Sequence, residues 1–461
     1  MVLLFVPAVF VSAQEKSYVI NRIDINGNKK TKLEVILREL TFKQNDTIQG
    51  DKLDEHVQKS TNNLLNTSLF NFVDFDTLCD ANKIEVEISV QERWYYWLYP
   101  IFEHADRNLS SYFYYRDFKK INYGLAFDWL NFAGRNDMLR FKIRLGYKEQ
   151  YSISYQKKGF GSKQIFGMWT ISDFFRQKKS INQISDYKPL YAENEKIYIK
   201  NYLNLGIGFT FRPQIDYHVN FGLIYQYSTY KDSSFFIDNY PNYEKFNTQY
   251  LIPRLKFEYD TRNNKIYPTK GLNFLISSGM HIGLFEKLPT YYTLNTSFEQ
   301  NTPIFRNRIF HKVSLACSHF FNVQSNVLFD RKLDFFAKNT IRGYEYFYFV
   351  SPQFLSLQNT INILASKFRI HNLPKFLPDE FSKTYTRVYL NIFFDIAVSN
   401  HSNIFSDNIN FRKDNIFYSA GIGINFETYY DRLVQFHVAY NSYLNKIGIF
   451  VEYKTPLYKL F

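Results

Sequence analysis

Residue types able to do covalent or metal chemistry are sparse in this chain. Its nine histidines and two cysteines, Cys79 and Cys317, are scattered. They form no H-E-x-x-H pair and no closely spaced cysteine set, and no G-x-S-x-G nucleophile turn appears. The chain is therefore read as a non-enzyme that needs no metal and no other cofactor. Charge recognition is the chemistry that remains. Ile341-Arg342-Gly343-Tyr344 sets a guanidinium beside a glycine that lets a loop tip turn tightly. In Arg387–Ser399, Val388, Leu390, Ile392, Phe394, Ile396 and Val398 take one face of an alternating strand, so Phe393 and Asp395 take the other. A carboxylate and a guanidinium, each drawn away from bulk water, gain by meeting, and a bidentate arginine contact is one a lysine does not reproduce. Arg342 is expected to pair with Asp395; the plainer alternative is a hydrated carboxylate and a surface arginine. Asp260, Arg262 and Asn263, with Pro268 and Gly271, carry turn chemistry, as do Asn131 and Gly134.

The elements that position these groups are strands of a membrane barrel. Hydrophobic residues make up 45% of the chain and aromatics 20%, with 48 Phe and 38 Tyr, yet mean hydropathy is −0.34. Lipid-facing and lumen-facing residues that alternate along each strand average out in this way, and the aromatics suit interfacial girdles. The opening segment, residues 1–13, ends in Val11-Ser12-Ala13 and reads as an export signal without a basic start. No later apolar run is long enough for a transmembrane helix, and a membrane protein without helices must close into a barrel. The net charge of +13 comes without a nucleic-acid-binding motif and is assigned to a basic lumen or rim. The two cysteines fall in different regions, so no disulfide is expected.

Residues 16–92 read as a small βααββ unit. Tyr18 to Ile25 is a strand, Thr31 and Glu34 have capping-box spacing, and Leu33, Ile36, Leu37 and Leu40 lie on one helix face. A second helix is predicted from Asp51, with Leu53, Val57, Leu64 and Leu65 inward, followed by strands Phe72–Leu78 and Ile84–Val90. Exposed strand edges, one of them expected at Ile84–Val90, could take up an extended peptide.

From Arg93 the period becomes two. Leu139, Phe141, Ile143 and Leu145 alternate with Arg140, Lys142 and Arg144, and Leu203, Leu205, Ile207, Phe209 and Phe211 repeat the pattern. Residues 93–461 accommodate roughly sixteen strands of ~10 residues with their turns. Longer surface loops are expected near 175–198, 228–248, 325–350 and 399–414. Arg93 to Glu103 should be the first strand. Its Pro100 cannot donate a ladder hydrogen bond, so pairing across the closing seam with the last strand, Ile447, Ile449, Val451 and Tyr453, is expected to be short.

These motifs resemble the Omp85 family. Residues 16–92, with Leu65 to Val73 at the helix-to-strand junction and Glu85 to Glu92 at the end, resemble a POTRA domain, present in one copy. Ile341-Arg342-Gly343-Tyr344 resembles the family's sixth-loop signature. It stands ahead of five predicted strands, so between the eleventh and twelfth of sixteen. Asn391 to Ala397 resembles the F-x-D-x-G strand, with Ala397 replacing the glycine. Asp260, Arg262, Asn263, Pro268 and Gly271 resemble the D-x-R-N…P-x-x-G hairpin, Asn131 to Asn136 an early N-x-x-G turn, and Phe461 the terminal sorting aromatic. The resemblance implies a bacterial outer-membrane protein with its small domain in the periplasm. It would assemble, insert or translocate nascent or unfolded outer-membrane or secreted proteins, templating their strands at the seam. Implied partners are outer-membrane lipid, the client proteins, periplasmic chaperones and accessory lipoproteins. The rival reading is a passive porin or ligand uptake channel.

Overall fold

The structure, a computed structural model, describes residues 17–104, 121–146, 148–161, 163–185, 188–194, 197–231, 245–284, 288–305, 308–322, 341–345, 351–366, 369–372, 378–381, 383–400 and 416–454. The export-signal segment, the terminal Phe461 and most of the predicted loops near 325–350 and 399–414 lie outside these.

The N-terminal module contains β1 (Ser17–Asn26), α1 (Leu33–Glu39), β2 (Thr47–Gln49), α2 (Leu53–Asn66), β3 (Phe70–Asp80) and β4 (Lys83–Glu92). Its sheet runs β2-β1-β4-β3, with β1 parallel to β4 and the other pairs antiparallel. Alternation in β4 turns Ile84, Val86, Ile88 and Val90 into the core, where they meet Ile20, Ile36, Leu64 and Phe70. Each such side chain contributes about 1.5–3 kcal/mol on burial.

Four expectations are corrected here. Ile84–Val90 lies in a central strand, so the sheet's edges are the short β2 and β3; chain order does not fix sheet order, and the parallel β1–β4 pairing fills the edge that a simple hairpin would leave open. The α1 face is rotated: Val35, Ile36 and Leu40 are buried while Leu33 and Leu37 are exposed. The capping box does not form. Thr31 instead gives its N–H to Glu92 (2.6 Å) and its hydroxyl to contacts with Tyr95 and the Nδ2 of Asn131 (3.1 and 2.9 Å). The second helix begins at Leu53, after a 3₁₀ turn over Gly50–Lys52.

The remaining strands are β5 (Tyr96–His104), β6 (Ile121–Leu130), β7 (Met138–Gly146), β8 (Lys148–Lys157), β9 (Phe166–Gln177), β10 (Lys179–Ser185), β11 (Lys188–Glu193), β12 (Lys200–Phe211), β13 (Tyr217–Lys231), β14 (Lys245–Asp260), β15 (Gly271–Gly283), β16 (Tyr291–Phe305), β17 (Ile309–Phe321), β18 (Gln353–Leu364), β19 (Arg369–Asn372), β20 (Lys383–Asn400), β21 (Ile416–Thr428), β22 (Arg432–Asn441) and β23 (Lys446–Lys454). β10 and β11 pair only with each other, as a hairpin within the predicted loop near 175–198. The others close into an antiparallel barrel of sixteen strands, in which the short β19 continues the line of β18 along β20.

The faces follow the period of two. Phe141 and Ile143, Leu205, Ile207 and Phe209, and Leu390, Ile392, Phe394 and Val398 are exposed on the outside. Tyr389, Asn391, Phe393, Asp395, Ala397 and Ser399 are buried on the inside. A lone barrel in water would not leave so many large apolar side chains uncovered; a bilayer covers them.

Candidate functional site

Three places bring the predicted residues together: the lumen, the mouth beneath the module, and the seam.

In the lumen, Arg342 reaches inward to Asp395, which has no exposed surface. Asp395 Oδ2 accepts from the Arg342 backbone N–H (3.1 Å) and from Nε (2.8 Å), and Oδ1 accepts from Nη2 (2.6 Å). Nη2 also donates to Thr360 Oγ1 at 2.8 Å. The guanidinium carbon lies 3.9 Å from the Phe393 ring centre, so the plane of the cation rests on an aromatic face. Gly343 takes φ +88°, a left-handed conformation that costs other residues more. Its N–H donates to Glu345 Oε1 (3.1 Å) and its carbonyl accepts from Asn441 Nδ2 (2.6 Å). Ile341 is packed with Phe354, Ala397 and Phe417, and the Tyr344 hydroxyl contacts Ser442 Oγ at 2.7 Å. Glu345 in turn meets His437 Nε2 at 2.7 Å, and that ring stacks on Phe450. Thr360, Glu345, Asn441 and His437 were not singled out in the sequence. His437 and Asn441 share an alternating strand with Val434, and their inward phase is the one signal that could have found them.

At the mouth, the predicted hairpin residues meet at the β14–β15 turn. Asp260 takes a forked contact from Arg262 Nε and Nη2, both at 2.8 Å, and Asn263 Oδ1 accepts from the backbone N–H of Thr269 and Lys270, both at 3.1 Å. Pro268 is buried beside them, and Gly271 takes φ +103°. The module grips this turn: Asn66 donates to the carbonyls of Arg262 and Asn263 and accepts from the N–H of Lys265. It also grips four other turns on the same rim, among them that between β19 and β20, where Asn71 Nδ2 donates to the Glu380 carbonyl at 2.9 Å. Arg212 clasps Glu39 through Nη1 and Nη2 (2.5 and 2.8 Å). Arg93 forks onto Asp431 (2.6 and 2.9 Å), which also accepts from Ser68. The Lys32 N–H donates to the Gly134 carbonyl, and a Cβ on Gly134 would overlap the carbonyl of Lys30. Burial works to raise the Glu39 pKa, but the charge and hydrogen bonds of Arg212 outweigh it and hold the carboxyl below its ordinary value. Arg93 is likewise held more firmly protonated: burial opposes its charge, and Asp431 overcomes that.

At the seam, the strand order sets β23 beside β5. Pro100 lies in β5, opposite Leu125 of β6. The outward side chains of the two seam strands are the least covered large apolar groups of the barrel among the described residues: Phe102 is 78% exposed, Ile449 76%, Ile447 72% and Leu98 68%. On strands away from the seam the corresponding figure for Ile392 is 57%. Tyr453 is exposed and Val451 half-buried on the same last strand.

A closed sixteen-stranded outer-membrane barrel, carrying one small α/β module and an inward-held loop motif, is the class that this fold and site define. The Omp85 superfamily domain matches residues 131–439, and the surface antigen variable number repeat, a POTRA unit, matches residues 18–93. The chain belongs to the Omp85 superfamily. Among solved structures it is similar to BamA from Haemophilus ducreyi lacking POTRA domains 1–3, with TM-score 0.52 and 13% identity over 95% of this chain and 84% of that one. It is also similar to CdiB from Acinetobacter baumannii (TM-score 0.48, 11% identity, 92% and 70% covered) and CdiB from Escherichia coli (0.49, 9%, 95% and 75%). No curated protein matches the sequence. Membership places the chain in the outer membrane, in a family of protein insertion and secretion factors that act on unfolded outer-membrane proteins.

Proposed function

We propose that this protein inserts or translocates β-rich client proteins at the outer membrane, with its module on the periplasmic side, and that client strands are templated at the β23–β5 seam. The observation that carries this reading is the occupied lumen. Arg342, anchored by three hydrogen bonds to a fully buried Asp395 and backed by Phe393, fills space that a diffusion pore would leave open. The module held across five turns of the mouth supports the same reading. The sparse cover of the outward residues on β5 and β23 supports the seam as the place where new strands can add, because a weakly covered strand edge is a template for pairing.

The test is reconstitution of the full chain in liposomes with a urea-unfolded outer-membrane barrel as client. Faster acquisition of protease-resistant client than in empty liposomes is the expected result. A large, steady conductance with no effect on client folding would instead establish the porin. Depletion followed by outer-membrane proteomics then separates the two modes: broad loss of barrels marks an insertase, loss of one cargo a dedicated exporter.

A further inference from the structure

Between the module and the barrel lies a chamber of about 1040 Å³. Helices α1 and α2 roof it, and the inward faces of β12 to β15 and neighbouring turns wall it. That volume is at the upper end of ligand pockets and far beyond one ion or a few waters.

The charges lining it do not balance. Its carboxylates are largely engaged: Glu39 by Arg212, Asp216 by Lys59, Asp260 by Arg262 and Glu258 by Lys256. Several of its cations have no such partner. The ammonium groups of Lys158, on the β8–β9 turn, and Lys265, on the β14–β15 turn, make no hydrogen bond or ion pair among the described residues. Arg38 on α1 donates to a neutral acceptor, the carbonyl of Arg212, at 2.6 Å. Both lysines are exposed, and their side chains line the chamber inside the ring of strands. Enclosure, with Lys265 and Arg212 nearby, pushes Lys158 down to about 8; enclosure and Arg212 push Lys265 down as well, against the pull of Asp260. Cations held in this way stabilise an incoming anion more than the same groups on an open surface.

The other lining groups narrow the choice of anion. Amides dominate the polar remainder, with Gln58, Asn62, Asn63, Gln156 and Asn220 facing the space. Amides bond to peptide N–H and C=O groups alike. The chamber lies inside the barrel wall, away from acyl chains.

We infer that this chamber binds an acidic, extended peptide segment, its carboxylates on Lys158, Lys265 and Arg38 and its backbone on the amides. The inference rests on the reading that the protein handles polypeptide. Arg38 comes from the module and the two lysines from barrel turns, so the occupant bridges the two and the site is complete only while the module is docked.

The test uses the full chain in detergent, titrated with a fluorescein-labelled octaglutamate peptide and with an octaglutamine control. Binding of the acidic peptide alone is expected, weakening steeply with salt. Lys158→Gln with Lys265→Gln should lower its affinity about tenfold. Lys158→Glu with Lys265→Glu should transfer the preference to octalysine. Heat-modifiable gel migration verifies that each barrel is folded. Equal binding of the two peptides, or unchanged affinity in both folded variants, overturns the inference. Displacement by inorganic phosphate or phosphatidylglycerol vesicles at comparable charge concentration also overturns it, because generic anion or lipid attraction would then suffice. Client folding scored in the same preparation separates the two readings. Client folding without lysine-dependent peptide binding removes the chamber alone; lysine-dependent binding without client folding removes the insertase reading and leaves the site.

Discussion

Removing either member of the Arg342–Asp395 pair should release the loop tip from the lumen, and the geometry sets the scale. Asp395 has no exposed surface and takes two of its three bonds from the guanidinium, at 2.8 and 2.6 Å. Arg342→Ala leaves that carboxylate with one backbone N–H, and breaking a buried pair in this way costs about 3–5 kcal/mol. At about 1.4 kcal/mol per tenfold, the population of released loop should rise roughly a hundred- to several thousandfold. Asp395→Ala should do nearly the same. Arg342→Lys should fall between, because an ammonium cannot hold Asp395 Oδ1, Oδ2 and Thr360 Oγ1 together or lie flat on Phe393. The readout is thiol labelling of a cysteine placed at Ile341, a fully buried position, in a background free of Cys79 and Cys317. Its rate reports release, and client folding is measured in parallel. The double variant should be little worse than either single one, since partners in one contact couple strongly. Additive costs, or unchanged labelling in Arg342→Ala, would refute the anchor.

Four further outcomes follow from the mouth, the module, the seam and the wall. Glu39→Gln should weaken module docking by about 2 kcal/mol, discounted because Arg212 keeps some contact with water, and hydrogen exchange in α1 should rise. The Glu39 carboxyl is held below its ordinary 4.5, so its contribution is full above that value. It is lost as pH falls through the lowered pKa, and exchange should accelerate only in that acidic range. Deleting residues 16–92 should leave a foldable barrel that fails in client assembly. A proline on the free edge of β3 should impair client handling with the fold intact, whereas a proline within Ile84–Val90 should unfold the module, as circular dichroism would show. A bifunctional thiol crosslink between β5 and β23 should abolish client folding, and one between β13 and β14 should not; activity in the seam-locked barrel would remove the templating role. Gly208→Val should destabilise the barrel, because a Cβ there would overlap Trp169 and the Phe221 carbonyl, and overpacking costs about 1–3 kcal/mol.

What the sequence made legible is what a short period governs. In a strand the phase of two leaves no freedom, so once Val388 to Val398 face lipid, Asp395 must face inward. The turn chemistry of Asn263, Pro268 and Gly271 is equally local. What escaped depends on partners far away in the chain. The face of α1 looked apolar at Leu33 and Leu37, yet Glu39 points into the protein because Arg212, 173 positions later, receives it. Thr31 had the spacing of a cap, but Glu92, Tyr95 and Asn131 claim its polar groups. Asn66 reads as an ordinary turn residue, and nothing around it in sequence indicates that it clasps the β14–β15 turn. β2 spans three residues and has too few positions to show a period.

The two ion-pair anchors bear on the route a client takes. Passage along the barrel axis meets the Arg342 loop held on β20 and the module held on five turns of the mouth. Releasing the first costs about 3–5 kcal/mol, and releasing the second requires Glu39–Arg212, Arg93–Asp431 and the Asn66 bonds to part together. The Arg342 anchor does not cross the β23–β5 seam, whereas Arg93–Asp431 at the mouth joins the lead-in of β5 to the β21–β22 turn on the other side of β23. A strand adding there leaves the Arg342–Asp395 anchor intact and covers Leu98, Phe102, Ile447 and Ile449, four side chains at least 68% exposed in the closed barrel. Covering apolar area already in contact with lipid gives little transfer energy in itself, so the gain at the seam must come from backbone pairing. An unpaired N–H or C=O in hydrocarbon costs several kcal/mol, so a client strand must replace each seam bond it displaces with one of its own. The two routes therefore differ in kind: the axial one begins by breaking buried charge pairs, and the lateral one exchanges backbone hydrogen bonds of the seam for those of the client.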